Sequence, residues 1–202
     1  MKKLIAGVVL GFGLTAMAHG AGDPEAGAQN AAVCAGCHGQ NGAQPVMGSY
    51  PKLSGLGEVY LYEQLKLIKS GDRAITEMTG LLDAMSDQDL QDLAAYFDSK
   101  DMPVGQAEPD LVDQGQALYL GGNLATGVPA CAGCHNPQGK GNDPAGYPRL
   151  GGQTSEYLAN QLKAYRDGSR DAGGNAQIMI DVANRLSDAE IEAVASYISG
   201  LH

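Results

Sequence analysis

The chain has 202 residues, with 13 basic against 23 acidic side chains and a formal net charge of −10. That length holds one large domain or two small ones, and the acidic balance excludes the basic footprint of a nucleic-acid-binding surface. Glycine makes up 29 of the 202 residues, about twice the usual ~7%, while Trp is absent and Phe occurs twice, so large core-filling side chains are scarce and a bulky apolar group would supply what is missing.

The first segment is a targeting sequence. Lys2 and Lys3 form a positive start, Leu4 to Leu14 is apolar apart from glycines, and Ala16-Met17-Ala18 reads as a small-x-small cleavage site. This is the pattern of a secretory signal peptide over residues 1–20, with the mature chain starting at His19 or Ala21. The competing reading is a transmembrane anchor, for which the apolar run is short. Export places the protein in the periplasm, free or held at the membrane surface. Loss of Lys2 and Lys3 leaves 11 basic residues and moves the formal charge to −12. Acidity of that size either speeds docking to partners with a positive patch or serves solubility alone.

Behind the leader, residues 24–37 read as a first helix. Residues 58–69 place Leu61, Leu65 and Ile68 on one helical face, and Gly71 follows as a stop signal. Ser86 with Asp89 makes a capping signal, after which Leu90, Leu93, Ala94 and Phe97 form an apolar stripe. The same series then repeats. Residues 111–121 read as a helix, Gly121 to Pro129 as a glycine-rich loop, and residues 155–166 as a helix with Leu158, Leu162 and Tyr165 on one face before Gly168. Ser187 with Glu190 caps a final stripe of Ile191, Val194, Ala195 and Ile198. No alternating strand pattern competes, so the fold class is all-α.

The repetition is in register. Cys34 to His38 reads C-A-G-C-H, and so does Cys131 to His135, at an offset of 97. The same offset carries Tyr50-Pro51-Lys52-Leu53 onto Tyr147-Pro148-Arg149-Leu150, Tyr60 onto Tyr157, Gln64 onto Gln161, and Arg73 onto Arg170. Beyond that the offset is 101, which carries Met78 onto Met179, Ser86 onto Ser187 and Tyr96 onto Tyr197. Chance does not give this register. The expectation is two homologous domains, residues 21–100 and 111–202, joined by a linker over 101–110 where Pro103, Gly105 and Pro109 break helical patterns.

C-x-x-C-H is the attachment signal for a c-type haem. Two thiols three residues apart lie on one side of a helical turn and reach the two vinyl groups on one edge of the macrocycle, and the following histidine then stands under the iron. A thioredoxin-like redox pair needs a βαβ setting, which is missing. A zinc held by two C-x-x-C knuckles leaves the histidine after each pair unexplained, and so does a disulfide framework. Cys34, Cys37, Cys131 and Cys134 are therefore read as covalent attachment points for two haem c groups, with His38 and His135 as axial ligands.

The sixth ligand follows from counting. The other two histidines are His19, at the cleavage site, and His202, the last residue, with no counterpart in the first copy. Met is the natural alternative and raises the potential relative to nitrogen ligation. Met179 is the one methionine after Cys131, and Met78 is its repeat partner. Met85 falls opposite Leu186, Met102 lies in the linker and Met47 has no methionine counterpart, so Met78 and Met179 are the candidates. Pro51 and Pro148, each 13 residues after a ligand histidine, either fix a loop carbonyl that receives the histidine Nδ1–H or serve as ordinary turn prolines. Arg73 and Arg170 either pair with haem propionates or are solvated. Tyr96 and Tyr197 read as packing residues of the last helices.

Taken together, the two C-A-G-C-H motifs, the Y-P-K-L and Y-P-R-L segments, the Gly-Gly-Asn and Gly-Val-Pro-Ala run before Cys131, the paired methionines and the S-D-Q-D-L and S-D-A-E-I endings resemble the cytochrome c4 family of dihaem class I cytochromes c. The resemblance implies two tandem class I cytochrome c domains, each wrapped around one covalent haem, with the haems facing each other across the interface. It also implies His–Met ligation at both irons and electron transfer in the periplasm toward a terminal oxidase. The stretch Asp171 to Gln177 before Met179 holds the four residues inserted in the second copy, so its geometry stays open.

Three functions remain to be weighed. An electron carrier needs closed six-coordinate irons, which two His–Met sites provide. Its partners are redox proteins, a membrane-bound oxidase and an upstream reductase, rather than a small-molecule substrate. A haem subunit bound permanently to a dehydrogenase still transfers electrons. A dihaem peroxidase-type enzyme needs one iron with an open position, for which no spare histidine exists.

Overall fold

The computed structural model describes residues 22–202; the signal peptide read over residues 1–20 lies outside the described residues. Helix α1 (Pro24–Asn30) starts where the Asp23 carboxylate accepts the amides of Glu25 and Ala26, with Pro24 in the first turn, where its fixed φ fits and no amide is needed. The single helix expected over 24–37 is divided. After α1 the chain tightens into a 3-10 turn at Ala31–Cys34 and resumes as α2 (Ala35–His38). The backbone stays right-handed, with ψ of −17° at Asn30, −16° at Ala31 and −26° at Cys34, shallow values that favour i→i+3 bonding.

Helix α3 (Glu58–Ser70) ends at Gly71, whose φ of 85° only glycine adopts at low cost. Helix α4 (Asp87–Asp98) carries a complete capping box: the Ser86 hydroxyl accepts the Asp89 amide, and the Asp89 carboxylate accepts the Ser86 amide at 2.8 Å. The second half runs α5 (Val112–Gly121), α6 (Ala132–His135), α7 (Ser155–Asp167), α8 (Ala176–Ala183) and α9 (Asp188–Ser199). Ser187 and Glu190 repeat the capping box on α9. Among the described residues there is no sheet, only two isolated bridges, Asn123 with Val128 and Asn142 with Tyr147.

One helix has no counterpart in the expected elements. Met78 sits at the end of a 3-10 turn, Thr76–Met78, whereas Met179 lies inside α8. The four residues inserted in the second copy give this segment enough length for two helical turns, where the first copy has room for one tight turn.

Two apolar clusters hold the halves. Leu61, Leu93 and Phe97 pack in the first with the linker residue Met102; Tyr119, Leu158, Ile191 and Ile198 pack in the second. In each, the first and last helices cross at a glycine. A Cβ on Gly27 would lie 2.0 Å from the Asp92 carbonyl oxygen, and one on Gly115 would lie 2.3 Å from that of Ala193, so the backbones of α1 and α4, and of α5 and α9, touch directly. The linker is fastened rather than loose: Gly105 donates to Ser199 O at 2.9 Å, Glu108 N to Ser196 Oγ at 2.8 Å, and Lys52 Nζ to Pro103 O at 2.6 Å.

The halves meet through backbone and side-chain bonds related by the repeat. Arg149 N donates to Leu56 O at 3.2 Å, and Lys52 N, the residue in register with it, donates to the Gln153 side chain at 2.8 Å. Gln153, buried at 2% exposure, returns its amide to Lys52 O. Tyr157 N and Thr154 Oγ1 both reach Gly48 O.

Candidate functional site

Helices α2 and α6 are each a single turn that delivers the attachment motif. Cys34 and Cys131 are half-buried, Cys37 and Cys134 are exposed, and His38 and His135 are buried at the helix ends. All four thiols are free. Burial pushes the Cys34 thiol up, and that of Cys131 to about 11. The chain then turns back so that a proline carbonyl meets each imidazole. His38 Nδ1 lies 2.8 Å from Pro51 O, and His135 Nδ1 lies 3.0 Å from Pro148 O. Burial holds both imidazoles below their ordinary 6.5, against the opposing pull of that carbonyl. A neutral ring with its proton on Nδ1 leaves the Nε2 lone pair for a metal. The rings of Tyr50 and Tyr147 stand 6.2 and 6.0 Å from the two imidazoles.

Each motif opens on its own cavity. The first, of about 430 Å³, is lined by Cys34, Cys37, His38 and Met78. The second, of about 190 Å³, is lined by Cys131, Cys134, His135 and Met179. Of the other methionines, Met47 is exposed, and Met85 and Met102 pack into the first core. The two thiol pairs therefore face different cavities and do not converge on one ion; among the described residues no three His, Cys, Asp or Glu side chains gather as a metal site.

Between the cavities lies a cluster that crosses from one half to the other. Arg73 donates to Gln64 Oε1 at 2.7 Å in its own half, and to Tyr157 Oη at 3.2 Å and Gln161 Oε1 at 3.1 Å in the other. Arg170 does the same in reverse, donating to Gln161 Oε1 at 2.7 Å, Tyr60 Oη at 2.8 Å and Gln64 Oε1 at 3.2 Å. Two like charges thus share two amide oxygens. Arg170 is buried and lines both cavities, so the solvated reading of that residue does not hold. Its Nε has no hydrogen-bond partner, and neither arginine is ion-paired among the described residues.

This arrangement fits a haem c in each half. A buried guanidinium without a carboxylate is costly, and haem propionates are carboxylates. The thiols stand at one side of an apolar cavity, an imidazole is oriented into it, and a thioether lies on the same lining. Tyr60, Gln64, Tyr157 and Gln161 were visible in the sequence only as repeat-register matches; nothing in their spacing marked them as a bridge, because the contact is between halves.

An all-helical chain with two C-x-x-C-H turns on two such cavities defines a dihaem c-type cytochrome. The family model for cytochrome c matches residues 24–100 and again 112–202. The chain is 52% identical over 202 residues to cytochrome c4 of Pseudomonas aeruginosa, covering 100% of both. It superposes on the crystal structure of reduced recombinant cytochrome c4 from Pseudomonas stutzeri with a TM-score of 0.87 at 50% identity, covering 90% of this chain and 100% of that one. It is also 35% identical to a thiosulfate dehydrogenase electron acceptor of Thiomonas intermedia, over 98% of this chain and 91% of the relative. The chain belongs to the cytochrome c family and, within it, to the cytochrome c4 proteins. It is an electron-transfer protein with two covalent haem c groups.

Proposed function

We propose that the protein carries electrons through the periplasm from an upstream reductase to a membrane-bound terminal oxidase. Residues 21–100 and 111–202 act as separate haem domains on either side of the 101–110 linker. Cys34, Cys37, Cys131 and Cys134 form the thioethers. His38 with Met78, and His135 with Met179, supply the axial ligands; Pro51 and Pro148 receive the Nδ1 protons; Arg73 and Arg170 face the propionates. The bound haems supply the one-electron chemistry, and the residues around them keep both irons closed. The observation that carries this reading is that the same His and Met pair lines the cavity in both halves, since a ligand set unchanged on oxidation suits a carrier and leaves no open position for a substrate. Among the described residues no helix is long and apolar enough to cross a membrane.

The test is to mix the reduced protein with membranes holding an active terminal oxidase of the same organism. Reoxidation in step with oxygen consumption is the expected result. A protein that stays reduced beside a working oxidase contradicts it. A second reading, a haem subunit or dedicated acceptor of a dehydrogenase, is favoured by the likeness to the Thiomonas acceptor. A second chain that co-purifies with this one through size exclusion would select it.

A further inference from the structure

Each methionine lies in the segment between two longer helices, Met78 on its tight turn between α3 and α4 and Met179 on α8 between α7 and α9, and in both halves a cation from the last turn of the first helix closes that segment. Lys69, at the end of α3, donates its ammonium to Met85 O, the carbonyl just before the α4 cap. Arg166, in register with Lys69, donates Nη1 to Leu186 O at 3.0 Å, the carbonyl just before the α9 cap. The segments so closed contain Met78 and Met179. The side chains differ but they bind equivalent carbonyls, and the favourable placing of a cation at a helix C-terminus does not by itself require that contact. We propose that Lys69 and Arg166 are positioning residues, clasps that hold the methionine-bearing segments shut so that each thioether stays against its iron. The inference rests on the ligand assignment above.

The two clasps are built with unequal division of labour. In the second half Arg166 makes both contacts, since its Nη2 also binds Asp188 at 2.6 Å. In the first half the equivalent acid, Asp87, is taken by the Tyr62 hydroxyl at 2.6 Å, and Lys69 makes only the carbonyl contact. Position 159, in register with Tyr62, is an alanine. Removal of Arg166 therefore opens two fastenings, and removal of Lys69 opens one. A planar guanidinium serves two acceptors at once where an ammonium does not.

The experiment uses the ferric holoprotein and imidazole, which binds an iron only when its methionine has left. Apparent affinity then reads the fraction of open segment. In K69M the affinity at the first haem rises about tenfold, the order expected for loss of one charged hydrogen bond, and the second haem is unchanged. In R166M the rise is at the second haem and is larger, while R166K falls between R166M and the parent. K69R restores the parent affinity. The ferric methionine–iron charge-transfer band weakens at the same haem and to the same rank. The control is S86A, which weakens the start of α4 without touching the lysine contact and leaves the imidazole affinity as it was. Unchanged affinities in K69M and R166M overturn the clasp, as does an S86A shift equal to that of K69M. M78A with an unchanged affinity at the first haem would instead overturn the ligand assignment, and the clasp with it.

Discussion

Met78 and Met179 face cavities that already contain the attachment thiols and a buried histidine. Met78→Ala is expected to open one iron: carbon monoxide then binds the reduced protein at about half of the haem, and Met179→Ala opens the other half. The capping serines are the second residue-scale case. Ser86→Ala and Ser187→Ala each remove the acceptor of a helix amide and are expected to cost about 1 kcal/mol, read from denaturant midpoints. Their partners also set an acid limit. Asp89 is held below its ordinary 3.8 by the Ser86 hydroxyl, and Glu190 below 4.5 by the Ser187 amide. A carboxylate lowered in the folded state contributes stability that is present above its unfolded value and lost as pH falls through the folded one. The melting temperature should therefore hold above about pH 5 and decline below about pH 4, less steeply in Ser86→Ala than in the parent. At this scale the attachment motif was legible because covalent chemistry ties Cys, Cys and His to fixed spacing, and the two methionines put forward by counting both line the cavities. The sequence did not reveal Lys69 or Arg166, whose common acceptor is a backbone carbonyl that leaves no mark on residue type.

The helices were legible where periodicity and stop signals agree. Residues 58–69 and 155–166 became α3 and α7, each one residue longer, and each ends at the expected glycine. Helix α8 was not legible, because the four-residue insertion within Asp171 to Gln177 breaks the register just before it, and the residues of the first copy that align with most of α8 form no helix beyond the turn at Thr76–Met78. The glycines at the helix crossings were hidden in a glycine-rich chain. Gly27 and Gly115 sit mid-helix, where glycine is normally disfavoured, and that misfit was the available signal. The backbone approach there leaves no space for a methyl group. Gly27→Ala and Gly115→Ala are each expected to destabilise their half by about 1 to 3 kcal/mol through overpacking, despite better helix propensity. Chemical denaturation of the holoprotein checks this; a gain in stability would show that the crossing can relax.

Across the whole molecule the least legible feature was the contact between halves. Repeat register matched Tyr60 with Tyr157 and Gln64 with Gln161, but only the docked structure shows each arginine bonded to the other half's tyrosine and glutamine. Arg170 lines both cavities and Arg73 only the first. A fixed cation near an iron favours the reduced, less positive state. Arg170→Gln is therefore expected to lower both reduction potentials, and Arg73→Gln mainly that of the first haem, in a spectroscopically followed redox titration. Potentials that do not move would place the propionates elsewhere.

The ligand and carrier expectations depend on both irons being closed by protein ligands. The direct measurement is the visible spectrum of the reduced protein before and after carbon monoxide. The account predicts no change at either haem. A large shift in about half of the haem would show that one site opens, and would contradict the paired His–Met assignment and the carrier function built on it.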